Sequence, residues 1–199
     1  MKKSKAILMV VCAMLLVAAS VMGTLAYLTS QASVTNTFSV GKVAITMDEA
    51  KVDEYGKVVT GENAGRVNGN TYKLVPGHTY TKDPTIRVTA LSEDCYIFAK
   101  IENGLAGAST LTVNDGWTPL TGVDNVYYYN GTVSGGIDVV VFNEFTFNSD
   151  ADPDDYANKQ IVVTGYAVQA DGFANAAAAW AATFGAPTTA PTTAPTTTD

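Results

Sequence analysis

His78 is the chain's one histidine, and it lies in Leu74-Val75-Pro76-Gly77-His78-Thr79. A zinc peptidase of the His-Glu-x-x-His kind needs two histidines on one helical face and a glutamate between them, so that chemistry is disfavoured. A serine triad needs a nucleophile on a sharp Gly-x-Ser-x-Gly turn, and Gly107-Ala108-Ser109 lacks the closing glycine. Cys95 could in principle pair with His78. It lies, however, in the apolar run Cys95-Tyr96-Ile97-Phe98-Ala99, where a thiol is buried rather than activated at a helix start. Glycine loops that cradle phosphates, Gly-x-Gly-x-x-Gly or Gly-Lys-Ser/Thr, are missing, which removes nucleotide cofactors. No catalytic residue and no cofactor is assigned.

The densest acidic run is Asn148-Ser149-Asp150-Ala151-Asp152-Pro153-Asp154-Asp155. Oxygen ligands at alternating positions can wrap a hard cation, which makes Asp150, Asp152 and Asp154 weak calcium candidates against the plainer reading of a solvated loop. An EF-hand is excluded, since its sixth and twelfth places hold Asp155 and Ile161 instead of glycine and glutamate. Asp48-Glu49 with Asp53-Glu54 reads as an ordinary exposed turn. Tyr127-Tyr128-Tyr129 on a strand places two rings on one face and one on the other, suited to core packing or to a binding surface.

The elements that must carry these residues are strands. Short segments rich in Val, Ile, Thr, Tyr and Phe alternate with a period of two between Gly, Asn and Asp turns. Strands are expected near Val34–Val40, Val43–Asp48, Tyr72–Leu74, His78–Tyr80, Thr85–Ala90, Asp94–Glu102, Asn125–Tyr129, Ile137–Phe147 and Gln160–Ala170. Ile161-Val162-Val163 and Val139-Val140-Val141 are apolar on both faces, which predicts central places in their sheets. A helix is expected from Asn175 to Thr183, with Trp180 and Phe184 four apart on one face, packed on the end of the sandwich. The fold class is all-β: a jelly-roll-like antiparallel β-sandwich over residues 27–184 with one short C-terminal helix. Residues 185–199, built on three Ala-Pro-Thr-Thr repeats, read as an extended Pro/Thr-rich tail, serving as a stalk or a plain disordered end.

Residues 1–26 have the layout of a secretory signal: Lys2, Lys3 and Lys5, an uncharged apolar stretch, then small residues before a cut between Ala26 and Tyr27, with Ala32 as the second choice. The only membrane contact expected is through this leader while uncut. All 19 acidic residues lie beyond it, so the exported chain is more acidic than the whole-chain net charge of −7. Such a charge repels phosphate backbones, and nucleic acid is not an expected partner. With Cys12 in the leader, Cys95 is alone afterwards and no internal disulfide can form.

Gly23-Thr24-Leu25-Ala26-Tyr27-Leu28-Thr29, followed by Thr35-Asn36-Thr37-Phe38-Ser39-Val40-Gly41, resembles the start of TasA/camelysin-type proteins. Val43 to Glu49, Val75-Pro76-Gly77 through Lys82-Asp83-Pro84, Asp94 to Lys100 and Gly165 to Phe173 are similar as well. These are exported bacterial biofilm-matrix proteins processed by a SipW-type signal peptidase. The resemblance implies self-association into extracellular fibres, the N-terminal strand of one subunit completing the sheet of the next. The donor would be residues 27–37, with Tyr27, Leu28, Val34 and Phe38 as apolar anchors. The camelysin name also carries a metallopeptidase label, for which this chain has no recognisable metal-and-base motif. A monomeric cell-surface module for carbohydrate or a host ligand is the alternative.

Overall fold

The computed structural model describes residues 9, 11–15 and 42–185. Residues 9 and 11–15 are helical. The expected cleavage site at Ala26 and Tyr27, the donor residues Tyr27, Leu28, Val34 and Phe38, the strand Val34–Val40 and the tail from Ala186 lie outside the described residues. Among those described, no helix is long and apolar enough to cross a membrane.

From residue 42 to 185 the chain is an antiparallel β-sandwich with one C-terminal helix. Its strands are β1 (Ile45–Ala50), β2 (Arg66–Val67), β3 (Thr79–Thr81), β4 (Thr85–Val88), β5 (Cys95–Asn103), β6 (Ser109–Leu111), β7 (Trp117–Pro119), β8 (Val126–Tyr129), β9 (Asp138–Val140), β10 (Glu144–Phe147) and β11 (Ile161–Gln169). Helix α1 spans Ala176–Phe184. They form sheets of order β2-β1-β4-β9, β3-β10-β6 and β11-β5-β8-β7.

β5 shows why the sandwich forms. Cys95, Ile97, Ala99 and Ile101 share one face and are buried against Ile86 and Val88 of β4 and Val139 of β9. Tyr96 and Phe98 face the other way, where an apolar surface also needs cover. Helix α1 supplies it. Ala176, Ala179 and Trp180 close over Phe98, Val126 and Val168, with the Trp180 ring 5.0 Å from Phe98 and 5.5 Å from Tyr166. Asn175 starts the helix by accepting a hydrogen bond from the Ala178 N–H at 2.9 Å. The helix therefore lies on the outer face of the β5 sheet, not on the end of the sandwich.

Ile137–Phe147 is two strands, β9 and β10, because the chain turns from one sheet into another at Val141–Asn143. The paired hairpin arm turns with it, as β3 passes into β4 at Lys82–Pro84. The Lys82 N–H donates to the Asn143 carbonyl at 3.0 Å and the Val141 N–H to that of Pro84 at 2.9 Å, so pairing survives the corner. Tyr72–Leu74 is not a strand. Its side chains instead pack on Tyr80, Phe145 and Phe147, the core of the small β3-β10-β6 sheet.

Both strands expected in central places are terminal in their sheets: β9 ends the first and β11 the third. The second face of each run is not closed over, since Val162 is 42% exposed and Val140 half-buried.

Candidate functional site

The edges of the sandwich differ in how they are closed. The outer side of β9 is covered, since the Trp117 indole N–H donates to the Val140 carbonyl at 2.9 Å and the Asn114 N–H to that of Val141 at 2.9 Å. β7 is short and ends in Pro119, which has no N–H to offer. Among the described residues β11 has neither protection. It pairs with β5 over all nine residues, Ile161 beside Asn103 through Gln169 beside Cys95, and among the described residues β5 is its only strand partner. A long regular edge with free N–H and C=O groups is a template for another strand.

Beside the Ile161 end of that edge lies a groove of about 1020 Å³. Met47, Tyr72, Leu74, Phe145, Ile161 and Val163 give it apolar wall, and Glu49, Asn70 and Lys82 give it a polar one. Towards the middle of β11 the space closes. A methyl group added at Gly165 would stand 3.0 Å from Cδ1 of Ile86 and 3.5 Å from Sδ of Met47, so the two sheets approach closely there.

The polar wall is built from β1. Ile45, Met47 and Glu49 share the inward face by simple alternation, so Glu49 is drawn in with two apolar neighbours and is 4% exposed. Its carboxylate accepts from Lys82 Nζ at 2.5 Å and from Asn70 Nδ2 at 2.8 Å. Asn70 also holds the strand itself, donating to the Ala50 carbonyl and accepting from the Val52 N–H. Burial, and then the nearby Glu49 charge, push the Tyr72 phenol well above its ordinary range, and its hydroxyl donates to the Thr81 carbonyl at 3.0 Å. Asp48, pointing outward, takes ion pairs from Arg66 and Arg87, which reach on to Asp83 and Asp138. Partial burial pushes the Asp48 carboxyl up, but hydrogen bonds from Arg87 and Arg66 outweigh it and hold the group below the usual carboxylate range. Asp48-Glu49 is thus a buried and bridged pair, not an exposed turn.

The residues singled out for chemistry are not brought together. His78 Nε2 is 2.9 Å from the Tyr55 carbonyl and its ring stands on Tyr80, in the small-sheet core. Cys95 belongs to the main core, fully buried, its thiol donating to the Val133 carbonyl at 3.5 Å. Burial, with some help from Asp94, pushes that thiol up to about 11, the reverse of activation. Asp152 is spent as the cap of the 3-10 turn Pro153–Tyr156, accepting from the Asp154 N–H at 3.0 Å. Asp150, Asp152 and Asp154 do not converge, and among the described residues no group of three or more His, Cys, Asp or Glu is placed to hold a metal ion. Tyr127 and Tyr129 pack into the inner core and Tyr128 into the outer one, which accounts for the tyrosine run as packing on both faces.

Comparison with protein-family models, with curated proteins and with solved structures gives no match.

Proposed function

We propose that this chain is an exported structural subunit of a bacterial extracellular matrix or surface fibre, which assembles by lending its N-terminal segment to the sheet of the next copy. The observation that carries the reading is the outer edge of β11, nine residues long and unpaired among the described residues, beside a groove with an apolar wall. Strand addition suits such an edge, because main-chain hydrogen bonds supply affinity while alternate side chains fill the groove. The N-terminal sequence has the required character in Tyr27, Leu28, Val34 and Phe38, and removal of a leader by a SipW-type peptidase would free it. Its role is mechanical and non-enzymatic.

The test is electron microscopy of two purified forms at high concentration, one beginning at Tyr27 and one at Gly41. Regular fibres from the longer form alone support strand donation. Monomers from both, across salt, calcium and pH, would end the self-assembly reading. Saturable glycan binding in the groove, which carries Tyr72, Tyr156 and Asn70, would then favour a monomeric surface module.

A further inference from the structure

The strand-donation reading leaves open which way the donated segment runs and which residues it buries, and the shape of the acceptor answers both. We propose that the segment of a second copy lies parallel to β11, with Leu28 beside Ile161 in the groove, Ser30 beside Val163, Ala32 beside Gly165 and Val34 beside Ala167. The inference rests on strand donation being correct.

The face is fixed by alternation. From Thr29 to Thr35 the odd positions, Thr29, Gln31, Ser33 and Thr35, are all polar, whereas the even ones are Ser30, Ala32 and Val34, flanked by Leu28 and Asn36. A strand added to β11 must turn one set toward the sandwich interior and the other to solvent. The even set goes inward, which leaves Tyr27 on the solvent side and Phe38 beyond the end of β11, so that Leu28 and Val34 are the anchors of this register.

Direction is fixed by size. The inward side chains of β11 shrink from Ile161 and Val163 to Gly165 and Ala167, and the available space follows the opposite need: about 1020 Å³ at the Ile161–Val163 end, a closed approach of Ile86 and Met47 at Gly165. A parallel segment puts its largest inward residue, Leu28, in the widest place and Ala32 at the tightest. Ser30 then falls by Val163, within the groove whose polar wall holds Asn70, Glu49 and Lys82. Asn36 falls beside Gln169, which is exposed, so its amide stays in water. Run the other way, the same residues set Val34 in the wide groove, the Ser30 hydroxyl against Gly165 and Leu28 at the narrow end. Shifting the antiparallel segment to seat Phe38 beside Ile161 sets Val34, bulkier than Ala32, against Gly165, where Ile86 and Met47 already close the space. Polarity also fits the covalent chain, since residues 37–44 remain to reach the donor's own β1 at Ile45.

Engineered cysteine pairs read the register, because a disulfide forms only between Cα atoms within about 7 Å. The background is clean, as Cys12 leaves with the leader and Cys95 is fully buried. Fibres of the chain beginning at Tyr27 are oxidised carrying either Thr29→Cys with Val162→Cys or Ser33→Cys with Val162→Cys. The expected result is a ladder of disulfide-linked multimers from the first pair and none from the second. A ladder from the second pair alone overturns the parallel direction while leaving strand donation standing. Fibres that link through neither pair place the segment elsewhere than in this register on β11. Absence of fibres in the unsubstituted chain refutes strand donation itself. As a second readout, Ala32→Trp is expected to abolish fibre formation and Ser33→Trp to preserve it. Equal assembly by the two would overturn the assignment of Ala32 to the inner face.

Discussion

Removing one partner of a buried ion pair strands the other, and Glu49 with Lys82 is such a pair, with side chains 5% and 10% exposed. Lys82→Met is expected to cost about 3–5 kcal/mol in urea unfolding, and Glu49→Met with Lys82→Met together to recover most of it. Equal losses in the single and double variants would mean that the pair is not coupled. Glu49 was legible in part: its phase with Ile45 and Met47 puts it inside, but acidic residues on either side of a turn read as surface until the Lys82 corner is seen to come back to it. Cys95 was read correctly as buried, because its run of apolar neighbours carries the information locally. Its folded pKa lies above the ordinary thiol value of 9.0, at about 11. The buried thiol therefore contributes stability that is whole below pH 9 and is lost as the pH climbs through 11. At about 1.4 kcal/mol for each tenfold change in acidity, the loss is about 2–3 kcal/mol, and Cys95→Val is expected to flatten the stability profile over that window.

At the scale of elements, α1 holds the outer face of the β5 sheet through one large side chain. Trp180→Ala removes the ring that meets Phe98, Tyr166 and Phe184, at an expected cost of about 3 kcal/mol. Calorimetry checks it, and an unchanged midpoint would mean that the helix docks without that ring. The long strands β5 and β11, the turn glycines and α1 itself were all visible in the sequence, since period and capping residue are local signals. β2, β6 and β7 were not, being two or three residues each, too short for a period to show. The misplacement of β9 and β11 has a physical lesson. Residues apolar on both faces say nothing about whether the strand's two edges are paired: Val162 is 42% exposed and Val140 half-buried, each on a strand that ends its sheet.

Among the described residues, the arrangement amounts to a sandwich closed at β9 by Trp117 and Asn114, blunted at β7 by Pro119 and left open along β11. That asymmetry makes head-to-tail association possible, because donor and acceptor are different parts of the chain and the contact does not close on itself. The alternation of residues 28–36 lies in the sequence itself, whereas the groove proposed as acceptor does not, since it is assembled from β1, β11 and the 68–74 and 153–160 segments, which only the fold brings together. Hydrogen exchange tests the claim most directly. In the chain beginning at Gly41, the β11 amides not bonded to β5 should exchange quickly, as edge amides do. In fibres of the chain beginning at Tyr27 they should slow by orders of magnitude, with β7 unchanged. Fibres whose β11 amides exchange as fast as in the monomer would contradict the account, for the edge proposed as the acceptor would still be open.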